Sequence, residues 1–319
     1  MVNPKNTNLK VDPAINVGWV TFGTHEGPLH RGQAKYNPSK PWGVWTPIVG
    51  VIARCEGNFD TVIGYDGTGI TFGIGQWTMK TGRVQRFIEF LKSVPCEDST
   101  LFDVFCVDLN GNQIFMDYGF KIEQGQMVDL SNMKRLNPNV DYDRIVNICE
   151  GANTRVPRKN YLDLVRLFVA MGSDSALQAA QENYFKIELK QALQPVRPAL
   201  QGFGTGTIND LLSGLWETPG PALFFNLWQN SPGGAFNLYK NAWTTAGKQG
   251  LANNTTLLKP ENAPQVFEII WKLLNQSSYA DWGFQSKRYI ESGGKNPPRI
   301  MQIQPAISEF YGVQLPYIR

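Results

Sequence analysis

Residues 56–78 read Glu56-Gly57-Asn58-Phe59-Asp60-Thr61-Val62-Ile63-Gly64-Tyr65-Asp66-Gly67-Thr68-Gly69-Ile70-Thr71-Phe72-Gly73-Ile74-Gly75-Gln76-Trp77-Thr78. Just upstream, the apolar run 48–55 has mixed helical spacing through Val49, Ile52 and Ala53 and ends at the acid Glu56. Downstream, Tyr65-Asp66-Gly67-Thr68-Gly69 is a turn signal, because glycine supplies the positive φ of a tight reversal. Residues 70–77 then alternate in period two until Gly73 and Gly75 interrupt them. A helix ending in one carboxyl group is thus followed at once by a glycine-punctuated hairpin carrying a second carboxyl and a threonine hydroxyl.

Two carboxyl groups in different settings suit one reaction class, the hydrolysis of a glycosidic bond. That reaction needs an acid to protonate the leaving oxygen and a second group to position water, or to attack, on the other face of the sugar. The apolar surroundings expected at Glu56 suit the general acid, and the wetter turn suits Asp66 as the base. Asp60, one helical turn after Glu56, is the second candidate for that partner. Thr71 faces away from Ile70 and Phe72, towards the cleft, where its hydroxyl helps hold the hydrolytic water. Gly73 and Gly75 leave the backbone bare for a sugar or for the catalytic helix. Tyr65, Gly73, Gln76 and Trp77 are the candidate substrate contacts, with core packing as the alternative for Trp77.

Here the chain resembles the lysozyme superfamily, most closely the phage-type lysozymes. Those carry Glu-Gly, an Asp nine residues after the Glu, Thr at fifteen, then Gly-x-Gly-His. Glu56-Gly57, Thr71, Gly73 and Gly75 keep that spacing, whereas Asp66 lies at ten, Tyr65 stands at nine, and Gln76 replaces the His. The string Asp66-Gly67-Thr68-Gly69-Ile70-Thr71-Phe72-Gly73-Ile74 is similar to the hairpin of chitosanases, although those place the Glu farther upstream. Gly73-Ile74-Gly75-Gln76 is similar to lytic transglycosylases, which work with one catalytic acid. The resemblance covers about 30 of the 319 residues. It implies a lysozyme-like fold and a muramidase of the endolysin kind that cleaves the MurNAc–GlcNAc β-1,4 bond of bacterial peptidoglycan. Alternatives are a transglycosylase, a chitosanase, or a non-catalytic virion or interaction protein that keeps the fold.

Composition narrows the other classes. With 42% hydrophobic residues the chain can bury a substantial core, and a net charge of +3 without a basic tract gives no nucleic-acid signature. The cysteines 55, 96, 106 and 149 form no C-x-x-C pair, and His25 and His30 are the only histidines, so neither a Cys/His metal site nor another cofactor is expected. There is no G-x-S-x-G elbow and no phosphate loop. The N-terminus lacks a signal peptide's basic start and apolar core, and no stretch has membrane-span length. The expectation is synthesis in a cytoplasm and action at the bacterial wall or periplasm after release by a phage-type or injection-type route.

Along the chain, residues 1–44 read as an extended Gly/Pro/Asn-rich arm that either packs on the enzyme or docks a partner, such as phage or injection-particle components. Residues 45–319 read as one catalytic domain with an insertion at about 93–140. Helices are expected at 81–92, 141–149, 160–171, 174–193, 208–216, 221–229, 235–247, 262–275, 277–291 and 301–310. A second hairpin is expected at 100–122 around Asn110-Gly111. The whole is a mainly helical α+β fold with a small β element beside the catalytic helix.

Overall fold

The helix expected over residues 48–55 is α1, Trp45–Glu56. It is one of eleven helices in a computed structural model of the chain, counted among the described residues: 9, 14–22, 25–37, 43–151, 157–202, 204–252, 260–277 and 299–315. The fold is mixed α+β and mainly helical, with small antiparallel sheets. The chain divides into two units, one made of Met1–Tyr36 and Glu56–Tyr184, the other of Asn37–Cys55 and Phe185–Arg319.

The first unit holds a five-stranded antiparallel sheet in the order β1-β2-β3-β4-β5. Its strands are β1 Gly18–Phe22, β2 His25–His30, β3 Val62–Ile63, β4 Thr71–Phe72 and β5 Trp77–Thr78. Leu29 pairs with Ile63, Ile63 with Thr71, and Thr71 with Thr78, so one register runs from the N-terminal strands to the glycine-rich hairpin. Strands β1 and β2, within the stretch expected as an N-terminal arm, belong to the sheet that carries Thr71.

The helices of this unit are α2, Arg83–Phe90, α3, Leu101–Cys106, α4, Tyr142–Glu150, and α5, Pro157–Ser173; α2 packs on β5, α5 on β2 and β3, and α4 on α5. Helix α6, Ser175–Leu193, contributes its first turns to this unit. It starts where Asp174 accepts hydrogen bonds from Ala176 N at 2.9 Å and Leu177 N at 3.1 Å, an N-cap worth about 1 kcal/mol. The core is aromatic: Phe72 meets Phe168 at 5.2 Å between ring centroids, and Trp77 stacks on Phe87 at 5.0 Å. Each such fully buried ring contributes roughly 1.5–3 kcal/mol of apolar transfer energy.

The expected hairpin over 100–122 is corrected. Thr100 caps α3 with a reciprocal bond to Asp103, a capping box that turns the aromatic run 101–106 into helix. Asn110-Gly111 does form a turn, closed by the single antiparallel bridge Val107–Gln113, but the longer ladder lies later, β8 Phe120–Glu123 with β9 Gln126–Asp129, flanked by β10 Lys134–Arg135. The short pair β6 Pro95–Cys96 and β7 Ser99–Thr100 precedes α3.

The second unit is helical: α1, the rest of α6, α7 Ile208–Leu211, α8 Gly220–Asn230, α9 Pro232–Lys248, α10 Ala263–Asn275 and α11 Arg299–Tyr311. Helix α7 is shorter than the expected 208–216 because the chain turns at Leu212. The helix expected at 277–291 falls almost wholly outside the described residues. Trp45 lies 5.6 Å from Trp216 and 6.2 Å from Phe225, and a side chain added at Gly50 would strike the Phe310 ring. No helix among the described residues is long and apolar enough to cross a membrane.

Candidate functional site

Glu56 is the last residue of α1, and its carboxyl group is half-buried. Gly57 beside it is required by space: an added Cβ would lie 2.8 Å from Gln76 Nε2 and 3.0 Å from Thr61 Cβ. The Gln76 side chain therefore reaches the backbone next to Glu56, and its amide donates to Gly73 O at 2.8 Å. Gln76 itself holds φ at +43°, a left-handed conformation uncommon for a non-glycine residue and frequent at functional sites.

Asp66 lies in the loop between β3 and β4, half-buried, and Thr71 opens β4, 4% exposed. The structure brings them together through Thr68, a residue the sequence reading did not single out. Asp66 Oδ1 accepts from Thr68 N at 3.2 Å and from the Thr68 hydroxyl at 2.6 Å, while Oδ2 accepts from the Thr71 hydroxyl at 3.0 Å. The two hydroxyl oxygens are 2.8 Å apart. Each hydroxyl carries one proton, so an ionised Asp66 leaves three O···O contacts with two protons between them. Adding one proton to Asp66 gives each contact its own hydrogen and closes the ring.

Asp60 has a different task. It is 4% exposed and accepts from Gln33 N at 2.9 and 3.0 Å and from Ala34 N at 2.9 Å, with His30 Nε2 3.5 Å away. Burial alone would raise its pKa, but hydrogen bonds from His30, Gln33 and Ala34 outweigh that and hold it below the ordinary carboxylate range. The hydrogen bond to Asp60 raises the His30 pKa against the opposing effect of burial. His30, Asp60, Asn16 and Ser173 line a cavity of about 410 Å³. Asp60 thus anchors loop 31–34 on the sheet.

The remaining sequence candidates separate. Trp77 is fully buried, edge-on to Tyr184 at 5.2 Å and stacked on Phe87, so it takes the core alternative and is corrected as a sugar contact. Gly73, with φ at +74°, is also buried, and an added Cβ would meet Gln181 Oε1 at 2.3 Å; it makes room for a side chain of α6 rather than for a sugar. That Gln181 is fully buried and donates to Phe59 O at 3.0 Å. Gly75 accommodates the Trp77 ring. Tyr65 stands half-buried next to Asp66. Among the described residues, no three or more His, Cys, Asp or Glu side chains are grouped to hold a metal ion. None of the four cysteines is in a disulfide, and burial pushes the Cys106 and Cys149 thiols well above their ordinary range, which makes them poor nucleophiles.

Thr68 had a faint signal in the sequence, a hydroxyl two residues after an Asp in a glycine turn. Tyr161, which contacts the same loop from α5, had none, because nothing local marks a residue about ninety positions away. Comparison with known proteins finds no matching family model, no matching curated protein and no matching solved structure.

Proposed function

We propose that this chain is a glycoside hydrolase of lysozyme-like fold that cleaves β-1,4 bonds in the glycan strands of bacterial peptidoglycan. The observation that carries the reading is the Asp66–Thr68–Thr71 cluster, set on a hairpin directly downstream of the helix that ends in Glu56. The half-buried Glu56 supplies a carboxylic acid, and the threonine-held Asp66 supplies a proton acceptor. Glu56 donates its proton to the leaving glycosidic oxygen as the C1–O bond breaks. Water held by Thr71 attacks C1 and gives its proton to Asp66, so the anomeric centre inverts. That geometry requires roughly 6.5–9.5 Å between the two carboxyl groups in the substrate complex. No cofactor takes part in this scheme. The reading carries with it action at the bacterial wall, in the manner of a phage lysin or an injected enzyme.

The test is turbidity clearing of purified peptidoglycan by the wild type, Glu56→Gln and Asp66→Asn, with mass analysis of the fragments. Clearing that needs both carboxyl groups and releases reducing ends supports the hydrolase. Anhydro products that survive Asp66→Asn would instead mean a transglycosylase using Glu56 alone. An inert wild type that also leaves chitosan intact would sink the enzymatic reading.

A further inference from the structure

The Asp66 loop is held from beneath by one phenol. Tyr161, on α5 and 3% exposed, donates its hydroxyl to Gly64 O and to Gly69 O. Those carbonyls belong to the two ends of a six-residue turn that carries Tyr65, Asp66 and Thr68. A single proton shared between them keeps the ends together. Without it, two carbonyl dipoles in buried surroundings would face each other with no donor. Space is equally tight: a Cβ on Gly64 would lie 2.5 Å from the Tyr161 oxygen, and one on Gly69 3.2 Å from Cys149 Sγ of α4. Two more backbone bonds, Lys80 N to Thr68 O at 3.1 Å and Met79 N to Ile70 O at 2.8 Å, fix the outgoing side.

We infer that Tyr161 is a positioning residue for the proposed reaction, setting the place of the Asp66 carboxylate through the two carbonyls of its loop. This rests on the hydrolase reading above. Burial, with the charges of Glu150 and Asp66 adding to it, pushes the phenol far above its ordinary range, so it remains a donor at any working pH. Tyr161 itself is too enclosed to contact a polymer, so its influence on rate must pass through the loop.

The experiment uses the full chain and purified peptidoglycan. Tyr161→Phe keeps the ring and removes only the donor. Its kcat is expected to fall on the order of 10- to 100-fold with KM within about twofold, since misplacing a reacting group by an ångström costs about that much. Replacing Tyr161 with 4-aminophenylalanine restores N–H donors at the same place and should return kcat to within about threefold of the wild type. A folded Tyr161→Phe with wild-type kcat overturns the inference. So does a folded 4-aminophenylalanine variant that is no better than Phe or, should Phe fail to fold, one far below wild type. Hydrogen exchange at the Thr68 and Gly69 amides gives a readout that needs no substrate, with faster exchange expected in Tyr161→Phe. A wild type inert on peptidoglycan would end the catalytic role together with the hydrolase reading. Unchanged exchange beside an active wild type would end the clamp alone.

Discussion

Asp60 and Asp66 are six residues apart, in segments flanking the same short strand, and the fold treats them in opposite ways. Asp60 is closed off: backbone N–H groups of Gln33 and Ala34 and the His30 ring occupy its oxygens, and its neighbours Asn58 and Thr61 bind the carbonyls of Arg31 and Gly32. Asp66 is held mainly by hydroxyls, which can rotate and pass protons, in a loop that is half-buried rather than sealed. Asp60 is fixed mainly by backbone amides and Asp66 mainly by side-chain hydroxyls, so the two acids differ in the chemistry of their donors rather than in the number of their hydrogen bonds.

The largest effect should come from breaking the Asp66 side. Asp66→Asn is expected to lower kcat by about 10²–10⁴-fold, the usual contribution of a general base, while melting within a few degrees of wild type. The matching change, Asp60→Ala, should reverse the pattern. Its buried N–H donors lose their acceptor, so urea denaturation should show a loss of about 1–3 kcal/mol, with kcat per folded molecule nearly unchanged. If Asp60→Ala abolished turnover in a stable protein, the assignment of the two acids would be exchanged.

The contrast also shows what could be read from residues alone. Local pattern placed α1, the start of α6 near 174 and the turn carrying Asp66, because helical periodicity and glycine are local causes. The roles of the two acids were not local. Asp60 is defined by Gln33 and Ala34, about 26 positions upstream, in the loop after β2, a stretch that looks like a loose arm until Leu29 pairs with Ile63. Gly73 and Trp77 read as open to substrate for the same reason; Gln181 and Tyr184, on a helix a hundred residues on, fill the space beside them. The run 101–106 misled because its aromatic content suits a strand, and the Thr100–Asp103 capping box decided for helix.

A smaller effect sharpens the comparison at the hydroxyls. Thr68→Val should reduce kcat by roughly tenfold, one charge-assisted hydrogen bond, with little change in KM, measured by initial rates of clearing. An effect as large as that of Asp66→Asn would mean that Thr68 does more than hold the carboxylate.

The smallest expected effect is a pH dependence on the Asp60 side. The folded-state pKa of Asp60 is lowered, so its contribution is present above the unfolded carboxylate value near 4 and fades as pH falls through the folded one. The His30 value is raised, so its contribution is full below about 6.5 and fades as pH rises through the folded value. The difference in melting temperature between wild type and His30→Gln should therefore peak between roughly pH 4 and 6.5 and shrink on either side. A difference that is flat with pH would detach His30 from Asp60.

The order in which the chain visits its two units has a practical consequence. Residues 37–55 leave the first unit between strands β2 and β3, supply α1 to the second, and return at Glu56. Neither unit is therefore a contiguous piece of gene. A deletion after Tyr184 would take away Trp216, Phe225 and Glu309, the partners of Trp45 and Arg54, and leave an orphaned apolar helix spliced into the middle of the sheet. Excising α1 would cut the sheet between its second and third strands. Either cut would then disturb both units at once.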